Sequence, residues 1–485
     1  MEGQGRRDAA GAHRSGRSVI AAAWALIGVA YAAEPAWVHT VAVEAHGPPD
    51  SPCSPGGSAK SPGVSTTASP APESTPIDLG PMTSFVLDPA SSQPQLSDDD
   101  RARLQIGQPY DYTKVPLEPF RGSPDALKKI HAVYDRMEER THTVRVAFWG
   151  ASHVAGEYYT GEIRRELQTR FGDAGHGFVM PAAPWSGYRA SDTNLCTQGS
   201  WISDYDRRSG GRGDGMLGVA GMSVEATDPA TLGWVQTAKT NPQGRSVSRF
   251  EVQYLRQAGG GTLNLVVDDA APVTVSTAGS GPGMTILTMA SGPHRLTVRP
   301  SGDGPVRLLG VNMEDDKPGV IVDAMGVSGR TMTSWNRWNE DLQRAYLQRR
   351  MPDLAVIAYG TNEANDPRLN PEAYRTELRT SMRRMRSVLP DAACVLVGPS
   401  DRGKKLSGTN YAIWGPTAWV ARVQSEVGPE FGCATWDLQQ VTGGPGSMLR
   451  WRLLEPPMAA ADLIHFMASG YQKIGERFVA AWLGA

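Results

Sequence analysis

A serine, a histidine, a carboxylate and an amide stand at points in this chain where their chemistry would combine. Ser152 follows residues 143–149, Thr-Val-Arg-Val-Ala-Phe-Trp, a β-rich run closed by Gly150. It precedes residues 158–171, in which Tyr159, Ile163, Leu167 and Phe171 fall on one helical face. A serine on such a strand-to-helix turn projects its hydroxyl from the strand end, and its backbone N–H can meet a developing oxyanion. Alone, the turn also suits a plain N-cap serine. Asn362 stands in Gly360-Thr361-Asn362-Glu363, just past the near-continuous apolar run of residues 352–359. An amide beyond the carboxyl end of a buried strand is where α/β sheets place ligand contacts. Asp462 and His465 are three residues apart, on one side of a turn. Histidine is the usual general base for serine, and a carboxylate fixes its tautomer and orientation. Taken singly, Asn362 reads as a turn former and Asp462 with His465 as a capping pair. Together, in the order Ser, Asp, His and at strand ends, they are the parts of an acyl-transfer site working through an acyl-serine.

To bring these residues to one edge, the strands must lie parallel in one sheet. Residues 320–325, 394–399 and 433–438 read as further buried strands, and residues 337–350 and 371–389 as helices. The second helix carries Arg375, Arg379, Arg383, Arg384 and Arg386 on what reads as a solvated outer face. Ser400-Asp401-Arg402 follows a strand end and is a candidate lining of the site.

Gly150-Ala151-Ser152-His153, Gly326-Val327-Ser328-Gly329, Gly360-Thr361-Asn362-Glu363 and Asp462-Leu463-Ile464-His465 resemble the four blocks of SGNH/GDSL hydrolases. Residues 171–178 and 462–466 are similar to bacterial peptidoglycan O-acetylesterases within that family. The resemblance runs from residue 143 to 485, less an insertion. It implies a flavodoxin-like three-layer α/β fold. It also implies Ser152 as nucleophile, His465 as base and Asp462 as its orienter. The oxyanion hole would comprise the backbone N–H groups of Ser152 and Gly329 and the side-chain amide of Asn362. Ala151 departs from the family, which usually has Asp before the serine, and Glu363 stands where many members carry Asp. His153 reads as a substrate-facing or structural imidazole rather than a second base. The rival α/β-hydrolase elbow, Gly-x-Ser-x-Gly, is broken by Val154.

Between the first two blocks the pattern changes to short strands and Gly-rich turns. Residues 249–255, 261–268, 272–276, 285–289, 294–299 and 306–313 read as strands of a β-sandwich or jelly roll. The family resemblance suggests a carbohydrate-binding-module-like unit there. Trp185, Tyr188, Trp201, Tyr205 and Trp234 are aromatic candidates for sugar stacking, though core packing explains each as well. Asp268 and Asp269 read as an acidic pair at a hairpin end in solvent rather than a calcium site.

With 485 residues, more than one unit is expected. A net charge of -2 offers nothing to draw nucleic acid or an anionic membrane. Arg6, Arg7, Arg14 and Arg17 precede an apolar run over residues 19–33, the make-up of a secretory signal or an uncleaved anchor. The domain expectation is then 1–33 signal or anchor, 34–100 Pro/Ser/Gly-rich linker, 101–195 first catalytic part, 196–315 inserted β-unit and 316–485 second catalytic part. Ser97 and Asp98 to Asp100 form a helix N-cap with an acidic first turn. Among the four cysteines, Cys53 reads as a spare linker thiol, and Cys394 and Cys433 suit buried free thiols better than a disulfide; Cys196 is left unassigned. No metal or organic cofactor is implied. The function expected from the resemblance is a secreted or envelope serine esterase removing O-acetyl groups from a polysaccharide, peptidoglycan favoured. A glycan O-acetyltransferase or a carbohydrate-binding component on the same fold is the alternative.

Overall fold

The structure, a computed structural model, describes residues 34–49, 83–87, 94–205 and 212–484. The region expected to be a signal or anchor, and Cys53, lie outside those residues. Among the described residues no helix is long and apolar enough to cross a membrane.

The site is built on one parallel sheet. Helix α1 (Pro124–Glu139) opens under the Ser123 side chain, which accepts the Ala126 N–H at 3.2 Å. The chain then runs through β1 (Thr143–Gly150), α2 (Ser152–Ala155), α3 (Tyr158–Phe171), β2 (Gly319–Gly326), α4 (Glu340–Arg350) and β3 (Leu354–Ala358). It ends through α5 (Pro371–Val388), β4 (Ala393–Val397), α6 (Pro416–Val427), β5 (Ala434–Trp436) and α7 (Ala468–Leu483). The strand order is β2-β1-β3-β4-β5, all parallel. Strand β1 shows why the sheet is buried on both faces. Val146 and Phe148 pack with Ile130, Ile163, Leu167 and Phe478 of α1, α3 and α7, whereas Ala147 and Trp149 pack with Leu378, Met382 and Val420 on the opposite face. Each such fully buried side chain contributes roughly 1.5–3 kcal/mol. The helix expected over residues 337–350 begins instead at Glu340, because Asn339 caps it by accepting the Leu342 N–H at 2.9 Å.

The β-rich residues form two further sheets. One has the strand order Val38–Ala42, Gly281–Gly292, Val247–Arg256, Val306–Glu314, Ser223–Ala226, Ile202–Asp204, with Gly177–Val179 also pairing to Val306–Glu314. The other runs Val273–Ser276, Thr262–Val267, Arg295–Pro300, Leu232–Thr237, Thr193–Gln198. Both contribute to one apolar core, Val252 and Val311 from the first and Leu265 and Val298 from the second.

The expected limits of these units need correction. Residues 34–100 are not linker throughout: Val38–Ala42 pairs in parallel with Gly281–Gly292, and Trp37 packs edge-on against Tyr346. Ser84–Leu87 and Pro94–Gln95 join a four-stranded sheet with the hairpin Gly403–Ser407 and Asn410–Ile413. Phe85, 3% exposed, stacks on Tyr411 of a distant hairpin. Ser97 does cap the helix Asp98–Arg103.

Cys394 and Cys433 are not free thiols but a disulfide. Val395 pairs with Ala434 in the parallel β4–β5 ladder, so the preceding residue of each strand is also brought face to face, with Cα atoms 4.5 Å apart. Cys196 is disulfide-bonded as well. Nor is the arginine face of α5 free. Arg375 and Arg379 pair with Glu426 and Glu430, and Arg386 donates to the carbonyls of Phe431, Leu389 and Ala392.

A buried ion network joins the β-rich sheets to the parallel sheet. Asp323 of β2 accepts the Phe178 N–H at 2.8 Å and holds Arg350 at 2.7 Å, and Arg350 also meets Glu314, which in turn binds Arg145 and Arg249. Removing one partner of such a cluster leaves a charge uncompensated, at about 3–5 kcal/mol.

Candidate active site

The residues expected to form the triad and the oxyanion hole lie at the carboxyl edge of the parallel sheet. Ser152 opens α2 just after β1, Gly329 follows β2, Asn362 follows β3, and Asp462 and His465 lie beyond β5. The sharp turn at Ser152 depends on Gly150. A side chain there would stand 2.4 Å from Val154 Cγ2 and 2.6 Å from the Ala358 carbonyl. Ala151 supplies no side-chain cap, but its carbonyl accepts the N–H groups of Val154 at 3.1 Å and Ala155 at 2.9 Å. The backbone alone therefore closes the turn, and the methyl of Ala151 packs into the core at 4% exposure.

Ser152, His465 and Asp462 form one hydrogen-bonded chain. Ser152 Oγ lies 2.9 Å from His465 Nε2, and His465 Nδ1 lies 2.7 Å from Asp462 Oδ2. Asp462 Oδ1 accepts two backbone N–H groups, from Ile464 and His465, both at 2.9 Å. Burial raises the Asp462 carboxyl, but the His465 bonds and these N–H groups outweigh it and hold the acid well below the usual carboxylate range. In a neutral imidazole whose Nδ1–H faces the carboxylate, Nε2 is free to accept the serine proton. The imidazole is open to water: the His465 side chain is 38% exposed.

The loops opposite complete the edge. Gly329 has φ +75°, and nothing stands within 4 Å of where its side chain would be, so open space lies over this backbone. The Asn362 amide donates one N–H to the Arg330 carbonyl at 2.9 Å, and a primary amide has a second N–H to offer. Glu363 is 1% exposed and accepts the N–H groups of Gly360 and Met332, both at 2.9 Å. Burial pushes its carboxyl up to about 7 against those bonds.

His153 is a structural imidazole. It is 9% exposed, its Nδ1 lies 2.7 Å from the Tyr471 hydroxyl, and its ring packs 5.3 Å from that of His465. Burial, then the neighbouring His465, pushes its pKa down to about 3, so it stays neutral. Of Ser400-Asp401-Arg402, Asp401 turns inward to the Met448 N–H at 3.2 Å, and Arg402 bonds the Thr361 carbonyl at 3.1 Å with its charge near Asp462. Tyr471 and the Gly403–Ser407 hairpin escape sequence reasoning. The Gly403 N–H donates to Leu463 at 2.7 Å, tying the hairpin to the Asp462–His465 turn, and no local pattern signals that contact.

The other candidates have partners of their own. Trp201 is core at 6% exposure, the Trp234 ring is covered by Arg295 at 4.3 Å, and Trp185 packs edge-on against Tyr188 and Tyr205. Asp268 is not in solvent: it is 7% exposed and bonded to His294 at 2.7 Å. Among the described residues no cluster of three or more His, Cys, Asp or Glu is placed to hold a metal ion.

The chain is similar to known ester hydrolases. Residues 277–473 match the GDSL-like Lipase/Acylhydrolase family. The matched segment contains Gly329, Asn362, Asp462 and His465; Ser152 precedes it. A solved structure described as a peptidoglycan O-acetylesterase in action is similar at 25% identity and a TM-score of 0.60, covering 75% of this chain and 97% of its own. A family two carbohydrate esterase from Cellvibrio japonicus aligns at 14% identity and TM-score 0.23, over 60% of this chain and 99% of its own. One from Clostridium thermocellum, in complex with cellohexaose, aligns at 13% and 0.25, over 60% and 99%. The last two likenesses are too loose to carry an argument. No curated protein sequence matches the chain.

Proposed function

We propose that this protein is a GDSL-type carboxylic ester hydrolase that removes O-acetyl groups from a polysaccharide, peptidoglycan first, through an acyl-enzyme on Ser152. The observation that carries this reading is the unbroken chain from Asp462 through His465 to Ser152, at 2.7 and 2.9 Å. In it, His465 Nε2 takes the Ser152 proton as Oγ attacks the ester carbonyl, and Asp462 stabilises the imidazolium. The former carbonyl oxygen becomes an oxyanion, met by the Ser152 and Gly329 N–H groups and the Asn362 amide. His465 then returns its proton to the leaving sugar oxygen, and water, deprotonated by the same imidazole, releases acetate.

Glycan as substrate is supported by the description of the 25%-identical structure as a peptidoglycan O-acetylesterase. It also fits a reading of the two β-rich sheets as a jelly-roll, carbohydrate-binding-module-like unit beside the site. Secretion, or retention at the envelope, fits the basic and apolar N-terminal residues. The solvent-open His465 favours water over a sugar hydroxyl as final acceptor, because transfer needs a site that keeps water out. With p-nitrophenyl acetate and added glycan, acetate should therefore match nitrophenol one for one. Acetylated glycan appearing in place of acetate would turn the reading to a transferase.

A further inference from the structure

The donors assigned to the oxyanion lie on two separate loops, one after β2 carrying Gly329 and one after β3 carrying Asn362. Separate loops must be held in register, since a displacement of about 1 Å at a reacting centre costs roughly a hundredfold in rate. One buried side chain reaches both. Glu363 Oε1 accepts the Met332 N–H and Oε2 the Gly360 N–H, each at 2.9 Å, from a side chain 1% exposed. Met332 is three residues past Gly329, and Gly360 two before Asn362. Tyr374 and Glu377 of α5 lie within electrostatic reach of the same carboxyl.

We infer that Glu363 is a positioning residue, whose two carboxylate oxygens lock the Gly329 and Asn362 loops into one oxyanion site. This rests on the oxyanion reading above. The residue type follows from the chemistry. Two backbone donors arriving from different loops need two acceptor atoms on one short, planar group, and a carboxylate supplies them. Glutamine keeps the length and planarity but has one acceptor, and it turns an NH₂ toward one of the two N–H groups. Aspartate keeps both acceptors on a stem one methylene shorter. Burying a carboxylate costs free energy that an apolar residue of the same size would not, so loop packing alone does not call for it.

The test is a double-mutant cycle on the whole protein with p-nitrophenyl acetate: Glu363→Gln, Asn362→Ala and the pair, each with a thermal melt. Glu363→Gln should lower kcat by roughly 10- to 100-fold, with KM within about twofold of wild type. Asn362→Ala should lower it by roughly a hundredfold or more. The pair should fall below Asn362→Ala alone by less than the Glu363→Gln loss in the wild-type background, because part of what the carboxylate does runs through Asn362 and part through the Gly329 loop. An unchanged kcat per folded molecule in Glu363→Gln, or effects that multiply in full, would overturn the inference while leaving Asn362 in place. An unchanged rate in Asn362→Ala would instead remove the oxyanion reading, and this inference with it. If Glu363→Gln does not fold, Glu363→Asp takes its place in the same cycle, with the same outcomes.

Discussion

Ser152→Ala should abolish ester hydrolysis and leave the melting temperature close to that of wild type. In the proposed mechanism Ser152 Oγ carries the acyl group, so no other route through this site would form the covalent intermediate. Loss of nucleophile in a serine triad leaves only the roughly 10³–10⁴-fold advantage over water that binding and oxyanion donors supply. The fold should not notice the change. Ser152 is only half-buried, the turn is closed by the Ala151 carbonyl, and the one side-chain bond removed is that to His465 at 2.9 Å. Kinetics on p-nitrophenyl acetate and a thermal melt decide it. Wild-type turnover in a folded variant would mean that another residue carries the chemistry.

Asp462→Asn should cost up to about 10⁴-fold in kcat, through the tautomer of His465. The asparagine oxygen can still accept the Ile464 and His465 backbone N–H groups that Asp462 Oδ1 takes at 2.9 Å. Its amide nitrogen would then face His465 Nδ1 and donate to it, placing the imidazole proton on Nε2, opposite Ser152. A base so protonated cannot take the serine proton. The loss should fall on kcat with KM little changed, since no substrate contact is altered. A kcat within a few-fold of wild type would mean that His465 is oriented without Asp462.

Much of this candidate site was legible because its parts are local. Glycine and serine at a strand end, an amide after an apolar run and Asp with His three apart each mark a turn, and a parallel sheet sends all such turns to one edge. The helix Tyr158–Phe171 followed from its apolar period in the same way. What escaped is non-local. Val38–Ala42 is a lone strand whose partner is Gly281–Gly292, more than two hundred residues away, and in a stretch leading into Pro and Ser it reads as linker. The Cys394–Cys433 disulfide depends on the β4–β5 register, which neither strand reveals by itself. His153, equally plausible as a substrate contact, is fixed as structural by Tyr471, which stands 318 residues further on and follows from no spacing rule. Glu363 drew notice only as a departure from Asp. Its hold on Met332 becomes visible once the two loops are side by side.

The most direct test is acetate release from O-acetylated peptidoglycan and from other acetylated polysaccharides by the protein, beside its Ser152→Ala variant. The account predicts serine-dependent release of acetate, fastest from peptidoglycan. Glycan binding without acetate from any substrate, or release that persists in the Ser152→Ala variant, would contradict it.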